Sequence, residues 1–420
     1  MVQSIGIIAL RSAVYRQNEG PQEGKRRMKR GLCLLLVLLL TGVFSCRAEN
    51  AEQPALVILD CDMGEMNDDA MALSLLLAAE QAGRVKLLGV TLTGGNAFVD
   101  AAFTNDGPEQ AGSLECVRKL LEAFGRSELS VYAGRDIPMG YDLDTLPALA
   151  ESYRVWLRDG EKVPRDYLMD NDTYGALHYF ENVTRGTLEN RDDAARFLAD
   201  TALRYPGQVN VIAIGPAGNI ARAIELEPRF AASVASIWYM GGNESRTEPG
   251  LTASGEETQT LRGANTTPFA EYNVFFDAAA FRSCVTASFP AQYICPGSLC
   301  EPVDGKALEL LRVRNTGEDT FASLWLEYFE RVPPEYPFWD PMTVTAFLKP
   351  ENITGSETAR VTVEADRKSE RYGSLTVLTE EEWAGLAEAE RSRFGPVTVI
   401  TGEKGFWELC AELLGKAKLR

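Results

Sequence analysis

Twice in this chain a short apolar run stops at a polar, glycine-containing loop and restarts as an apolar run of helix length. The first case is "PALVILDCDMGEMNDDAMALSLLLAAE" at residues 54–80; the second is "VNVIAIGPAGNIARAIELEP" at residues 209–228. In the first, Val57, Ile58 and Leu59 read as a buried strand, and residues 70–79 have the length and apolar spacing of a helix. Strand, tight loop and helix make a βα unit, and repeated βα units commit a chain to a mostly parallel sheet covered by helices. Further strands are expected in "VKLLGVTLTGGN", "LSVYAG", "VASIWYMGGN", "AQYICPG", "ARVTVEAD", "GSLTVLT" and "GPVTVITG". Helices are expected over 113–124, in "DDAARFLADTALR", in "FWDPMTVTAFL" with Pro341 in its first turn, and in "KGFWELCAELLGKAK".

The chain has 420 residues, 45% of them hydrophobic, enough to bury a large core. Alternating strands and helices with no Ser/Pro-rich linker predict one α/β domain over about 52–420, an open, mostly parallel sheet flanked by helices. Residues 141–187, polar, aromatic and turn-rich, read as a long excursion from it. The N-terminus is a separate matter. "KRRMKR" followed by "GLCLLLVLLLTGVFSC" has the basic flank and short apolar core of a secretory signal. Residues 1–46 are therefore expected to be a signal segment, with 1–27 upstream of a second start at Met28. Cys46 closes the apolar run as in a loose lipobox, so its acylation is expected, and the protein is expected to be exported, periplasmic or held at a membrane through that lipid.

Net charge is -18, and the first 46 residues carry seven basic and two acidic side chains, leaving -23 on the remainder. So acidic a body excludes nucleic acid as the expected partner, because phosphate binding needs basic clusters. Six of the eight cysteines lie beyond the signal, and none has zinc or CxxC spacing. Cys295 and Cys300 are the nearest pair, and isolated thiols are the expected state of most. The only histidine is His178. A His-rich metal site is excluded, and the chemistry must rest on carboxylates, amides and aromatics.

Asp60, Asp62, Asp68 and Asp69 all fall at the first strand-to-helix junction. Carboxylates that close repel, and either a helix N-terminus or a hard divalent cation would offset the charge. Other polar residues also follow strands: Asn96, Gly215 to Asn219, Asn243, Asn265 to Asn273, and Asp340. In an open α/β sheet such loops converge on one crevice at the carboxyl ends of the strands.

Five segments together, in this order, resemble the calcium-dependent nucleoside hydrolases, N-ribohydrolases that cut the bond between ribose and a base. They are "ILDCDMGEMNDDAMAL", "GVTLTGGN", "VNVIAIGPAGNIARAI", "ANTTPFAEYNVFFDAAA" and "WDPMTV". The resemblance implies a calcium ion held by Asp62, Asp69, Asp340 and the backbone carbonyl of Ile214. It implies Asp62 as general base toward a metal-activated water. It also implies that Asp68, Asn96, Asn265, Glu271 and Asn273 hold the ribose hydroxyls, with Trp339 stacking on the base. Asp60 is expected to be structural. The chain departs from the family in two places. Five residues, "MGEMN", separate Asp62 from Asp68 where the simplest signature has three. Trp339 stands where many members carry a histidine able to protonate the leaving base, and His178 is the substitute candidate. The reading is calcium-dependent hydrolysis of a nucleoside or related ribosyl compound; the alternative is an exported nucleoside- or ribose-binding protein that keeps the metal site without turnover. Base preference and homo-oligomerisation are left open.

Overall fold

A computed structural model of the chain describes residues 53–64, 67–96, 99, 112–141, 191–243, 266–267, 269–331, 337–369 and 371–419. The signal segment, Cys46, His178 and Asn265 lie outside the described residues. The opening apolar run forms β1 (Ala55–Cys61), and the two aspartates open α1 (Asp68–Gln81). There follow β2 (Val85–Leu92), α2 (Ser113–Ala123), β3 (Val131–Ala133), α3 (Asp193–Arg204), β4 (Val209–Ala213), α4 (Gly218–Leu226) and β5 (Ser236–Met240). Two short helices, α5 (Tyr272–Phe276) and α6 (Ala278–Val285), lead to β6 (Gln292–Cys295) and β7 (Glu301–Pro302). After α7 (Gly305–Arg314), α8 (Phe321–Phe329), β8 (Pro337–Phe338) and α9 (Asp340–Leu348), the chain ends in β9 (Ile353–Val363), β10 (Leu375–Leu378), β11 (Gly395–Glu403) and α10 (Phe406–Lys416).

Nine strands form one sheet in the order β10-β9-β11-β6-β5-β4-β1-β2-β3. From β11 to β3 every neighbouring pair is parallel; β9 joins β11 antiparallel, and β10 joins β9 antiparallel. The expected mostly parallel sheet is the one formed. Pro54–Arg420 makes one compact unit. The chain runs outward from β1 through β2 to β3, then returns to β4 on the other side of β1. The carboxyl ends of β1 and β4 therefore flank a topological switch point, where a ligand crevice opens in such sheets.

Alternate strand residues feed two cores. Val57, Leu59 and Cys61 pack with α1 and the C-terminal helices, while Ile58 packs on the other face with Val209, Val211 and Ala213. Residues from Asp68 to Ala79 are all buried, so α1 has no solvent stripe; it lies between the sheet and α9 and α10. Between the Val57–Leu87 and Ile58–Gly89 pairs the β1–β2 register slips by one residue, leaving Leu88 as a bulge. On β2, Val85 and Leu87 face one core, and after the slip Val90 and Leu92 face that same core. The slip therefore turns Thr91 to the opposite face, paired with Asp60.

All six described cysteines are free thiols, as expected, Cys295 and Cys300 included. Among the described residues no helix is long and apolar enough to cross a membrane.

Candidate active site

The acidic residues of the first junction do converge. Asp68 and Asp69 are the first two residues of α1, and Asp340 is the first of α9, which packs against α1. One carboxylate oxygen from each of Asp68, Asp69 and Asp340 lies within 4.8 Å of the others, all three side chains buried. Two helix N-termini thus point their positive ends into one spot, which eases the charge without cancelling it. Asp62 adjoins the trio, its backbone N–H donating to Asp69 Oδ1 at 3.3 Å.

Burial drives every one of these carboxyls upward. Asp68 is raised to about 6 by burial, against the opposing backbone N–H groups of Trp339 and its neighbours. Asp62 lies well above the usual range through burial, then the charges of Asp68 and Glu271. Asp69 is raised by burial and by Asp62 and Asp68; Asp340 by burial and by Asp68, Asp69 and Asp62. Four buried carboxylates cannot all ionise beside one another in a low dielectric. A hard divalent cation would let them, and the donors fit one: every donor in the trio is a carboxylate oxygen, and among the described residues Asp69 Oδ2 is buried with no hydrogen-bond partner.

Compared with the expected ligand set, Asp69 and Asp340 lie in the trio, and Asp68, assigned to ribose by the resemblance, is the third member. Asp68 also ties the two helices, its Oδ2 accepting the backbone N–H of Trp339 at 3.2 Å. Asp62 is held separately. Its Oδ2 accepts the backbone N–H of Asn96 at 2.9 Å, and glycines close on both sides of the carboxylate. A Cβ on Gly95 would overlap Asp62 Oδ2, and one on Gly215 would sit 2.7 Å from Oδ1. The Asn96 side chain is exposed.

The carbonyl of Ile214, at the end of β4, accepts from Asn273 Nδ2 at 2.9 Å, and the same amide donates to Met240 O at 3.2 Å. Asn273 therefore fixes that carbonyl, keeping its own amide oxygen as its remaining polar atom. Glu271 is the N-cap of α5: Oε1 accepts from Asn273 N at 2.9 Å, and Oε2 from Val274 N at 3.3 Å and Gly242 N at 2.8 Å. Trp339 is half-buried, packed against the core that contains α1. Thr91 is not anticipated near the site; Asn219 and Tyr272 lie in segments expected to converge there, and Tyr272 Oη donates to Gly95 O at 3.0 Å. A separate groove of about 840 Å³ runs along β3 and α3, lined by Arg118, Tyr132 and Phe197 among others, and contains none of Asp62, Asp68, Asp69 and Asp340.

A sequence profile described as inosine-uridine preferring nucleoside hydrolase matches residues 57–402, a span holding every site residue named above. The chain belongs to that family. Among curated relatives, the pyrimidine-specific ribonucleoside hydrolase RihB of Escherichia coli O1:K1 / APEC is 27% identical over 238 residues, 56% of this chain and 57% of that protein. The RihB of Escherichia fergusonii matches at the same identity and coverage. The chain spans a little over half the length of these relatives. Among solved structures, a plant nucleoside hydrolase superposes with a TM-score of 0.58 at 21% identity, covering 86% of this chain and 99% of its own. An inosine-uridine preferring nucleoside hydrolase from Bacillus anthracis gives 0.55 at 17%, with the same coverage. At those identities the superpositions speak to the fold, whose parallel sheet and flanking helices they share.

Proposed function

We infer that the protein hydrolyses the N-glycosidic bond of a ribonucleoside or a closely related ribosyl compound, using calcium. The observation that carries this is the buried carboxylate trio Asp68, Asp69 and Asp340 beside Asp62, at the switch point of a nucleoside hydrolase-family sheet. Asp69 and Asp340, with the adjoining Asp62 and Asp68 and the Ile214 carbonyl that Asn273 orients, would hold the ion. When bound, such an ion supplies a water of lowered pKa and a fixed point for the sugar. Asp62, pinned by Asn96 and walled by Gly95 and Gly215, is the carboxylate placed to act as general base and would accept a proton from an attacking water. The negative charge clustered under the sugar stabilises the positive charge that develops on the ribosyl group as the base departs. Trp339 offers an aromatic face and no transferable proton, so leaving-group activation does not come from that position.

Ribose release from inosine, uridine and a nitrophenyl riboside, with calcium and with chelator, beside Asp62→Ala, tests the reading. Calcium-dependent release that disappears in the variant supports it, and the ranking of the three substrates reports how far turnover depends on a good leaving group. Calcium and ribose binding with no turnover on any of them favours the non-catalytic binding protein instead. We also infer export, with Cys46 acylated; the mass of the mature N-terminal peptide decides it, an unmodified Cys46 opposing the lipid anchor.

A further inference from the structure

Beside the carboxylate trio lies a second buried polar cluster, centred on Asp60, whose members are not among the three grouped carboxylates. Asp60 is fully buried at the end of β1. Its Oδ1 accepts from Thr91 Oγ1 at 2.5 Å and from Asn219 Nδ2 at 2.9 Å. Asn219, the second residue of α4, gives its other amide hydrogen to Leu92 O at 2.9 Å, and its Oδ1 accepts from Arg135 N at 3.0 Å. One carboxylate and one amide therefore join the carboxyl ends of β1, β2 and β3 to the helix that follows β4.

Those strand ends launch the loops that build the site. Asp62 comes two residues after Asp60; Gly95 and Asn96 follow β2; Ile214 and Gly215 follow β4, and Ile214 N donates to Asp60 O at 2.8 Å. The clearances around the Asp62 carboxylate leave no slack, since Gly95 and Gly215 are too close for a Cβ. A small slip of β2 against β1 would move Asn96 N and Gly95 relative to Asp62 Oδ2. The bulge at Leu88 is what brings Thr91 onto the face of Asp60. The chain thus interrupts a regular parallel ladder, and the hydrogen bond from Thr91 to Asp60 follows from that interruption.

We propose that Asp60, Thr91 and Asn219 form a positioning network that sets the register of the β1, β2 and β4 loop ends and thereby the placement of Asp62. None of the three belongs to the carboxylate trio, so they are positioning residues. The network rests on the hydrolase reading for its kinetic consequence, but it acts on the same carboxylates whether or not turnover occurs.

Thr91→Val, close to isosteric, removes the hydroxyl while keeping the buried shape; Thr91→Ser keeps the hydroxyl. Thr362→Val, on β9 away from the site, is the control for loss of a buried strand hydroxyl. In the full chain with calcium, Thr91→Val should lower kcat by about tenfold or more while KM changes little, with Thr91→Ser returning to near wild type. Calorimetric titration with calcium should show weaker binding in Thr91→Val and recovery in Thr91→Ser. Thr362→Val should match wild type in both measurements. Wild-type turnover and calcium binding that are unchanged in Thr91→Val overturn the network, as does a loss that Thr91→Ser fails to restore. If wild type binds calcium without hydrolysing anything, the hydrolase reading fails, and the calcium titration alone decides the network by the same comparison. A wild type that neither turns over nor binds calcium overturns both.

Discussion

The backbone N–H of Asn96 donates to Asp62 Oδ2 at 2.9 Å, so the loop after β2 grips the carboxylate that follows β1. The residue before it, Gly95, is pressed against the same oxygen and is held from behind by Tyr272 Oη at 3.0 Å. The proposed base is thereby fixed from a neighbouring strand, and its orientation depends on a glycine that has no room for a methyl group.

Gly95→Ala should therefore displace the Asp62 carboxylate. Kinetics of ribose release should show kcat down by about a hundredfold, the scale of a misplacement near 1 Å at a reacting group. Thermal unfolding should move by only a few degrees, because the overlap is with one side chain at a crevice.

Asp69→Asn removes one charge from the buried group, at the carboxylate whose Oδ2 has no partner among the described residues. In chelator the variant should melt above wild type, because like-charge repulsion has been relieved. With calcium at a hundred times its Kd, wild type should gain about 2.7 kcal/mol and the variant almost nothing. Scanning calorimetry of both proteins in both buffers checks the crossing.

The pH dependence of the metal-free protein follows from the raised carboxyls. Asp60 is raised to about 7, by burial against the hydrogen bonds of Thr91 and Asn219, and Asp68 to about 6. In the unfolded chain both titrate near 3.8, so between about 4 and 7 the folded state holds more protons. Stability in chelator should then fall as pH rises through that window. Melting temperatures from pH 4.5 to pH 8 test the sign, and added calcium, which favours the ionised trio, should flatten the fall.

Glu271 carries three backbone N–H groups on one carboxylate. Glu271→Ala leaves those buried donors without an acceptor and should cost about 1–3 kcal/mol of stability. Glu271→Gln keeps acceptor capacity at one oxygen and should cost less. Urea unfolding of the two variants gives the comparison; equal losses would contradict the capping role.

Sequence periodicity made the sheet legible because its strands are short apolar runs that end at glycine or aspartate. It placed β1 and α1 within two residues at each end, and α9 was signalled by Asp340 and Pro341. Nothing local marked the bulge at Leu88, since a register slip is decided by pairing with a distant strand. Thr91 therefore looked like an ordinary strand threonine; its pairing with Asp60 appears only across the sheet. The trio of Asp68, Asp69 and Asp340 spans two helices far apart in sequence, and their packing, not their spacing, put Asp68 among the metal-type oxygens. Glu271, which the resemblance places at the sugar, also caps α5 and the turn after β5, a structural role that its position before a short helix does not reveal in sequence.

The most direct measurement follows ribose release by the chelator-treated full-length protein as calcium is added back, with calorimetric binding on the same sample. The account predicts one calcium per chain and an activation midpoint that coincides with the calorimetric Kd. Full activity in chelator, or activation at a concentration unrelated to binding, would contradict it.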